Sequence, residues 1–245
     1  MGKNGANLYS SCPRLQSLNR TGSDIMVKPR IVETDQGIQG ESNVKIYDSM
    51  MRRMRDKCWI ETNLILNAGI RQGLVLEVGP GPGYLGLEWL KKTKGTNLKA
   101  LEISPGMIEI AERNAKEYDL ESRVEYVKGN AQEMPFDDNM FDGVFTNGSL
   151  HEWAQPAKIF NEIHRVTKPG GICCISDLRR DMNPLVVWFM KLVTKPKEIR
   201  PGLISSINAS YTPEEIKSIL GESSLKGYKV ARVAMGFVIT GQKVG

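Results

Sequence analysis

Histidine and cysteine are scarce in this sequence, which excludes several kinds of site. The chain has 245 residues but only 2 histidines and 4 cysteines. It contains no CxxC pair and no His-bearing metal spacing, so we expect no metal site. Cys173 and Cys174 are adjacent, and on a strand their side chains would point to opposite faces, which does not suit a structural disulfide. A reduced, cytoplasmic protein is the simplest interpretation.

A long hydrophobic run is also absent. The longest apolar stretch, residues 185–193, contains Lys191 and is too short to span a bilayer. Residues 1–10 have no apolar signal core, and Ala6 stands where a myristoylation signal has Ser or Thr. We therefore expect no transmembrane segment and no targeting signal in this stretch.

The chain also has only a small excess of positive over negative charge. The formal net charge is +5, and residues 1–60 carry 10 Lys or Arg against 6 Asp or Glu, while the rest of the chain is nearly neutral. Nucleic-acid-binding domains usually concentrate basic residues on one face or stripe. We therefore expect no nucleic acid partner. The composition, 40% hydrophobic and 25% charged, is that of an ordinary globular protein.

Periodicity divides the chain into an arm and a single domain. Residues 1–40 are rich in Gly, Asn and Ser without sustained periodicity, which predicts a flexible N-terminal arm. From residue 43 to 67 apolar residues recur at helical spacing, which predicts one or two helices ahead of a glycine-rich loop. We assign residues 41–245 to one domain, as a monomer or a homodimer.

Strands and helices then alternate, which predicts an α/β fold with a parallel sheet covered by helices on both faces. The predicted strands are residues 74–78, 97–103, 124–129, 141–147 and 171–178, and the predicted helices are 84–92, 105–118, 156–167 and 212–220. Two last strands, 228–235 and 237–243, meet at Gly236 and suit an antiparallel hairpin. Residues 179–211 form a lid insertion, whose apolar part suits a pocket wall, a dimer face or a membrane contact.

The loop between the first strand and first helix indicates a nucleotide-like ligand. Its segment GPGYLG, residues 81–86, fits the GxGxxG pattern of dinucleotide-binding folds. Glu102 ends the next strand, where a carboxylate can accept hydrogen bonds from ribose hydroxyls. Nicotinamide enzymes and methyltransferases share both features, so neither feature distinguishes them.

The prolines and a carboxylate of the same region favour a ligand without phosphates. Pyrophosphate binding uses free backbone N–H groups, and Pro80 and Pro82 each remove one. Glu77 would also repel a diphosphate. S-adenosylmethionine carries ribose hydroxyls for Glu102 and a positive methionine end near Glu77, and its backbone approach needs glycines such as Gly79.

Four segments in order give the chain a resemblance to a known family. They are EVGPGPG at 77–83, LEIS at 101–104, GNAQEMPFDDNMFDGVFTN at 129–147 and EIHRVTKPGG at 162–171. From about residue 43 onward the chain resembles the class I S-adenosylmethionine-dependent methyltransferases, in the small-molecule group called type 11. The resemblance implies a Rossmann-like sheet of order 3-2-1-4-5-7-6 with an antiparallel seventh strand. It also implies S-adenosylmethionine as cofactor and a small-molecule methyl acceptor as partner.

The resemblance further implies roles for individual residues. The methionine part would lie over Gly79, Gly81 and Gly83, the ribose on Glu102 and the adenine beside Ile103, Asn130, Ala131, with the backbone of Asn147 at the methionine ammonium. Relatives usually carry Asp where Asn130 stands, so the adenine contact would use an uncharged acceptor. Glu77 is expected near the positive methionine end.

Candidates for the chemistry lie at the carboxyl edge of the predicted sheet. His151 could act as a base or touch the acceptor, and Tyr47 of the first predicted helix could cover the site. Substrate contacts are expected from Trp153, Asp177 and Arg180 (or its neighbour Arg179). Glu152 and His164 are predicted to be solvated.

The sequence therefore predicts an enzyme that methylates a small molecule. A methyltransferase of protein or RNA is one alternative, although TNGS stands where an Asn-Pro-Pro-Tyr motif would bind an amine. A non-catalytic cofactor-binding module with a partner at the basic, Met-rich helix of residues 50–59 is another. A nicotinamide reductase is the third.

Overall fold

Apolar strands alternate with amphipathic helices and place one seven-stranded sheet at the centre of the fold. The structure is a computed structural model and describes residues 28–33 and 37–244. The helices are α1 (Glu41–Asp56), α2 (Thr62–Ala68), α3 (Tyr84–Lys91), α4 (Pro105–Glu117), α5 (Pro156–Val166), α6 (Pro184–Val193), α7 (Arg200–Ala209) and α8 (Pro213–Gly221). The strands are β1 (Gly73–Val78), β2 (Thr96–Glu102), β3 (Val124–Lys128), β4 (Phe141–Asn147), β5 (Thr167–Leu178), β6 (Lys229–Arg232) and β7 (Gly236–Gln242).

The sheet has the order β3-β2-β1-β4-β5-β7-β6. Strands β1 to β5 pair in parallel, and β7 is antiparallel to both β5 and β6. The predicted Rossmann-like fold is therefore confirmed, including the hairpin at Gly236. The carboxyl ends of β1, β2 and β4 meet at one edge of this sheet, where open α/β folds bind their ligands.

Side chains alternate between two cores along each central strand. Leu76 and Val78 of β1 join a core with Phe160 of α5, whereas Val75 joins a second core with Trp89 of α3. Because successive residues of a strand point to opposite faces, a strand covered on both sides reads as a continuous apolar run. Cys173 and Cys174 follow the same rule: Cys173 is buried in the first core and Cys174 in the second, and neither forms a disulfide.

Strand β5 begins earlier than the predicted residue 171. Thr167 already pairs with Phe141 of β4, and Lys243 after β7 bonds to the backbone of Gly170 and Gly171 on the other side. These pairings keep the Lys-Pro-Gly-Gly segment within the sheet, although its composition indicates a turn. Long-range hydrogen bonds therefore extend a strand that local propensity would end.

Helix α1 packs across the carboxyl edge of the sheet. Its Val44 forms a small core with Met107 and Ile110 of α4. Its buried Asp48 accepts a hydrogen bond from the Tyr84 hydroxyl at 2.9 Å and pairs with the Arg113 guanidinium at 3.1 Å. These contacts fix α1, and with it Tyr47, above the glycine-rich loop.

Two short segments ahead of α1 also contact the domain. Arg30 donates to the carbonyls of Ala209 and His151 and lies 4.1 Å from the Tyr211 ring centre, and Ser104 Oγ donates to the Ile38 carbonyl at 2.7 Å. The predicted arm of residues 1–40 otherwise falls outside the described residues. In residues 28–33 and 37–244, no helix is both long and apolar enough to cross a membrane.

Candidate cofactor and acceptor site

The loop after β1 brings backbone close to a cleft at the carboxyl edge of the sheet. Gly79, Gly81 and Gly83 have φ angles of 68°, 54° and 82°, values that favour glycine. A Cβ on Gly79 would lie 2.8 Å from the Cβ of Ser149, so the loops after β1 and β4 touch directly. Gly79 and Gly81 line the cleft, and Gly83 begins α3 beneath it.

Glu102 ends β2, the strand that pairs directly with β1. Its Oε2 accepts a hydrogen bond from the Gly81 backbone at 3.0 Å, and its Oε1 accepts one from the Ser104 backbone at 2.9 Å. Burial raises the pKa of this carboxyl, while the backbone N–H groups oppose that shift. The carboxylate is therefore held against the glycine loop, where the ribose was expected.

The loop after β3 completes the far wall. Ile103, Asn130 and Ala131 all line the cleft, as expected of an adenine-binding region. The Asn130 Oδ1 already accepts a hydrogen bond from the Gln132 backbone at 2.8 Å. That bond fixes the amide in its own turn and leaves one lone pair of the oxygen for a ligand.

Tyr47 covers the cleft from α1. Its ring lies 3.5 Å from the position that a Cβ on Gly81 would take, and Gly37 and Ile38 line the cleft on the same side. Burial raises the pKa of the Tyr47 phenol, and the carboxylates of Glu152 and Glu102 raise it further. Tyr47 therefore stays protonated and can donate a hydrogen bond into the cleft, but it cannot serve as a phenolate base.

His151 is held by acids and is not a free base. Its Nδ1 lies 3.0 Å from an Asp177 carboxylate oxygen, and its backbone donates to the same carboxylate at 2.7 Å. Its Nε2 lies 3.6 Å from the Glu33 carboxylate. Burial by itself would lower the pKa of His151, but Asp177, Glu152 and Glu33 raise it to about 9. The imidazole is therefore charged at neutral pH, and the geometry does not favour the predicted role as a base.

Glu152, which was predicted to be solvated, lines the cleft instead. Burial raises its pKa to about 7, although the charged His151 lowers it. A carboxylate with that pKa is suited to accept a proton near neutrality. The signal in the sequence was its position after β4, whereas the approach of the Glu33 charge, which also raises the pKa of Glu152, was not visible in the sequence pattern.

Other predicted residues lie near the cleft without lining it. Asp177 is buried against His151, and Asn147 stands exposed at the end of β4, beside cleft-lining Gly148. Glu77 lies under α3, where its Oε2 is buried without a hydrogen-bond partner among the described residues. Burial and Glu102 raise the Glu77 pKa to about 8, so this group is largely uncharged at neutral pH.

Arg180 does not reach the cleft either. Its guanidinium donates to the Lys28 carbonyl at 2.7 Å and to the Ser210 carbonyl, and it pairs with Glu215. It therefore joins the N-terminal segment to the start of α8, and the expected acceptor contact has no support from this geometry. Trp153 does line the cleft, and its ring packs edge-on against Phe160.

The His151–Asp177 pair predicts a specific pH dependence of stability. A group whose pKa is raised in the folded state stabilises it below the unfolded-state pKa and loses that effect as pH rises through the folded value. For His151 the window runs from 6.5 to about 9. We expect His151→Gln to flatten the fall of unfolding free energy across this window, as measured by urea unfolding at a series of pH values.

His164→Gln is the matched control for that experiment. Burial and Lys243 lower the pKa of His164 below its usual 6.5, so this histidine loses its proton at or below the low end of the window and is neutral over the upper part in both states. Its substitution should leave the slope in the upper part of the window unchanged. An unchanged slope in His151→Gln as well would contradict the assigned charge of His151.

The cleft fits S-adenosylmethionine on its own chemistry. Among the cleft-lining residues that the structure describes, none is Lys or Arg, whereas Glu102 and Glu152 supply carboxylates. A dinucleotide would bring a diphosphate into such an environment without a cation to balance it. A ligand with a sulfonium, an ammonium and ribose hydroxyls meets no such conflict. Glu102, Ile103 and the glycine loop would hold it.

Comparison with known proteins agrees with this geometry. Residues 76–175 match the family model described as a methyltransferase domain. A demethylmenaquinone methyltransferase of Clavibacter sepedonicus is 33% identical over 139 residues, which cover 55% of this chain and 55% of that protein. The sterol 24-C-methyltransferase ERG6 of Saccharomyces cerevisiae is 36% identical over 45% of this chain and 29% of its own length. The chain thus spans about half the length of the first relative and less than a third of the length of the second.

A solved structure extends the similarity to most of the fold. A Methanococcus maripaludis protein, described as a candidate S-adenosyl-L-methionine-dependent methyltransferase, superimposes with a TM-score of 0.67 at 26% identity. The match covers 85% of this chain and 98% of that one. With the sheet order and the cleft chemistry, these similarities support a class I S-adenosylmethionine-dependent methyltransferase, with the matched domain at residues 76–175.

Proposed function

We propose that this protein transfers the methyl group of S-adenosylmethionine to a small-molecule acceptor, with Glu152 as the proton acceptor. The observation that carries the proposal is that two carboxylates, of Glu102 and Glu152, line one cleft. No Lys or Arg is among the described residues that line it. Glu102 is tied to the glycine loop and suits the cofactor ribose. Glu152 has no such tie to that loop, and its pKa of about 7 suits proton transfer.

The reaction requires alignment more than it requires many catalytic groups. S-adenosylmethionine supplies an electrophilic methyl group on a sulfonium. The acceptor lone pair forms a bond to the methyl carbon while the carbon–sulfur bond breaks and its electron pair stays on sulfur. Tyr47 and Trp153 enclose this space and exclude water. Glu152 takes the proton that an acceptor hydroxyl or ammonium must lose.

His151 and Asp177 act as positioning residues in this proposal. The charged imidazole is fixed by Asp177 on one side and faces Glu33 on the other. Its positive charge opposes the effect of burial on Glu152 and limits how far the pKa of that carboxyl rises. His151 therefore tunes the proton acceptor without itself accepting the proton.

The lining of the cleft and the names of relatives support a small, partly apolar acceptor. Apolar side chains of Trp153, Ile159 and Met107 line the cleft beside the two acids. Matched relatives are named for demethylmenaquinone, erythromycin and sterol methylation, and each of these names specifies a small molecule. We therefore favour a small acceptor over protein or RNA.

A transfer assay tests the proposal. Purified protein and methyl-labelled S-adenosylmethionine would be incubated with separate pools of quinols, sterols and hydroxylated macrolides, and with bulk RNA and protein. The proposal expects label in at least one small-molecule pool and none in the macromolecular pools. Label confined to RNA or protein would contradict it, and tight cofactor binding without transfer to any pool would favour a non-catalytic module.

A further inference from the structure

Helix α6 carries an apolar stripe that none of the described residues covers. Leu185, Trp188, Phe189 and Leu192 are 74%, 63%, 55% and 54% exposed. Their spacing places them on one side of the helix. Soluble proteins rarely expose large neighbouring apolar side chains in this way without a partner. These four residues form the stripe.

The helix itself is well formed despite this exposure. Asn183 caps it by accepting a hydrogen bond from the Leu185 backbone at 2.9 Å, and Pro184 occupies the first turn. Val187 and Met190 lie on the opposite side and are partly buried. The stripe is therefore a surface presented by a folded helix, not an unfolded segment.

Positive charge accompanies the stripe, and little negative charge lies near it in the chain. Residues 182–197 contain Lys191, Lys195 and Lys197 but no Asp or Glu, and one exposed acid, Glu198, follows them. All three lysines are exposed. The preceding acid, Asp181, is engaged by Arg179 at 3.4 Å and by Arg232 at 3.0 Å. A surface with large apolar side chains and nearby lysines complements an anionic lipid surface.

The same segment borders the cleft. The short 3₁₀ turn Lys197–Ile199, which follows α6, packs on α1, the helix that carries Tyr47. Helix α7 packs on the turn Leu150–Glu152, which carries the proposed proton acceptor. A surface that holds α6 would thus lie next to the rim of the site.

A second copy of the chain fits the stripe less well. Four such side chains expose on the order of 500 Å², given about 150–250 Å² for a whole aromatic residue, and a stable dimer buries about 800 Å² per partner. A two-fold contact would also bring the three lysines of each copy together, with Glu198 as the one acid of residues 182–199 to offset them. An anionic bilayer requires no minimum contact area of this kind, and its headgroups attract the lysines.

We propose that α6 binds the surface of an anionic lipid bilayer, with the stripe in the acyl boundary and Lys191, Lys195 and Lys197 at the headgroups. The helix lies along the surface, since at 10 residues it is too short to span. The proposal does not depend on the identity of the methyl acceptor. It predicts binding that anionic lipid strengthens and salt weakens.

Vesicle binding by the full chain tests this surface. Vesicles of phosphatidylcholine alone would be compared with vesicles containing about one third phosphatidylserine, an anionic fraction that attracts basic segments. Co-sedimentation is expected with the anionic vesicles. Brominated acyl chains should quench Trp188 in a Trp59→Phe background, because Trp89 and Trp153 are buried.

Variants separate the apolar from the charged contribution. Trp188→Ser with Phe189→Ser should reduce binding more than about tenfold. Neutralising Lys191, Lys195 and Lys197 to Gln should weaken it about fivefold for each charge. Neutralising Lys94, Lys116 and Lys226, which are exposed at the opposite edge of the sheet, is the matched control and should have little effect.

Three results would overturn the proposal. One is the absence of vesicle binding, and another is binding that neither set of α6 variants changes. The third is a concentration-dependent dimer that Trp188→Ser with Phe189→Ser dissolves, since it would assign the stripe to a second copy. Unchanged thermal unfolding and S-adenosylhomocysteine affinity in the variants would show that fold and cofactor site are intact, whatever the vesicle result.

Discussion

Glu102→Gln is expected to weaken S-adenosylmethionine binding by about two orders of magnitude. A hydrogen bond to a charged group contributes about 1.5–3 kcal/mol, and each 1.4 kcal/mol changes the affinity about tenfold. The amide keeps the shape of the side chain but loses the charge that two ribose hydroxyls would share. It also replaces one acceptor with a donor that would face the N–H of Gly81 or Ser104. Calorimetric titration of wild type and variant measures the difference.

Glu125→Gln provides the matched control for this prediction. Glu125 lies on the neighbouring strand β3 with 62% of its side chain exposed, and it pairs with Lys99 at the surface. The same loss of charge there should leave cofactor affinity unchanged. Equal affinity of wild type and Glu102→Gln, with an intact circular dichroism spectrum, would show that the ribose assignment is wrong.

Glu152→Gln is expected to abolish most turnover while it preserves cofactor binding. Removing a positioned general base typically lowers the rate about 10²–10⁴-fold. The Gln side chain can still fill the space and donate or accept a hydrogen bond, but it cannot take a proton. The wild-type rate should also fall as pH drops below about 7, the pKa of Glu152, because the base is then protonated.

Glu133→Gln controls for the loss of a negative charge near the cleft. Glu133 is exposed in the loop after β3, next to cleft-lining Gln132. This variant should keep both turnover and pH profile. If Glu152→Gln turned over as fast as wild type with an acceptor found in the transfer assay, proton removal would not pass through Glu152. A loss of cofactor affinity in Glu152→Gln would instead assign this residue to cofactor binding.

The cofactor half of the site follows largely from sequence. A glycine loop after an apolar strand, and an acid at the end of the next strand, are local patterns with fixed spacing. The parallel sheet then brings Gly81 and Glu102 together, because the carboxyl ends of β1 and β2 meet at one edge. Local pattern and topology agree here, so the prediction needed no knowledge of distant packing.

The acceptor half depends on contacts between distant segments. Burial raises the pKa of Glu152 to about 7, and the charge of Glu33, more than a hundred positions away in the chain, contributes to that rise. His151 changes from a potential base to a charged group because β4 and β5 set Asp177 beside it. The Arg180 guanidinium donates its hydrogen bonds to the carbonyls of Lys28 and Ser210 and so does not reach the cleft. Residue type and spacing carry no record of such partners, so side-chain charge states there could not be predicted.

The most direct test of this account is a calorimetric titration of the purified wild-type chain with S-adenosylmethionine and, separately, with NADH. Glu102 and Glu152 line the cleft, and no Lys or Arg is among its described lining residues. We therefore expect saturable binding of S-adenosylmethionine and no detectable binding of NADH. Saturable NADH binding together with no heat from S-adenosylmethionine or S-adenosylhomocysteine would contradict the account.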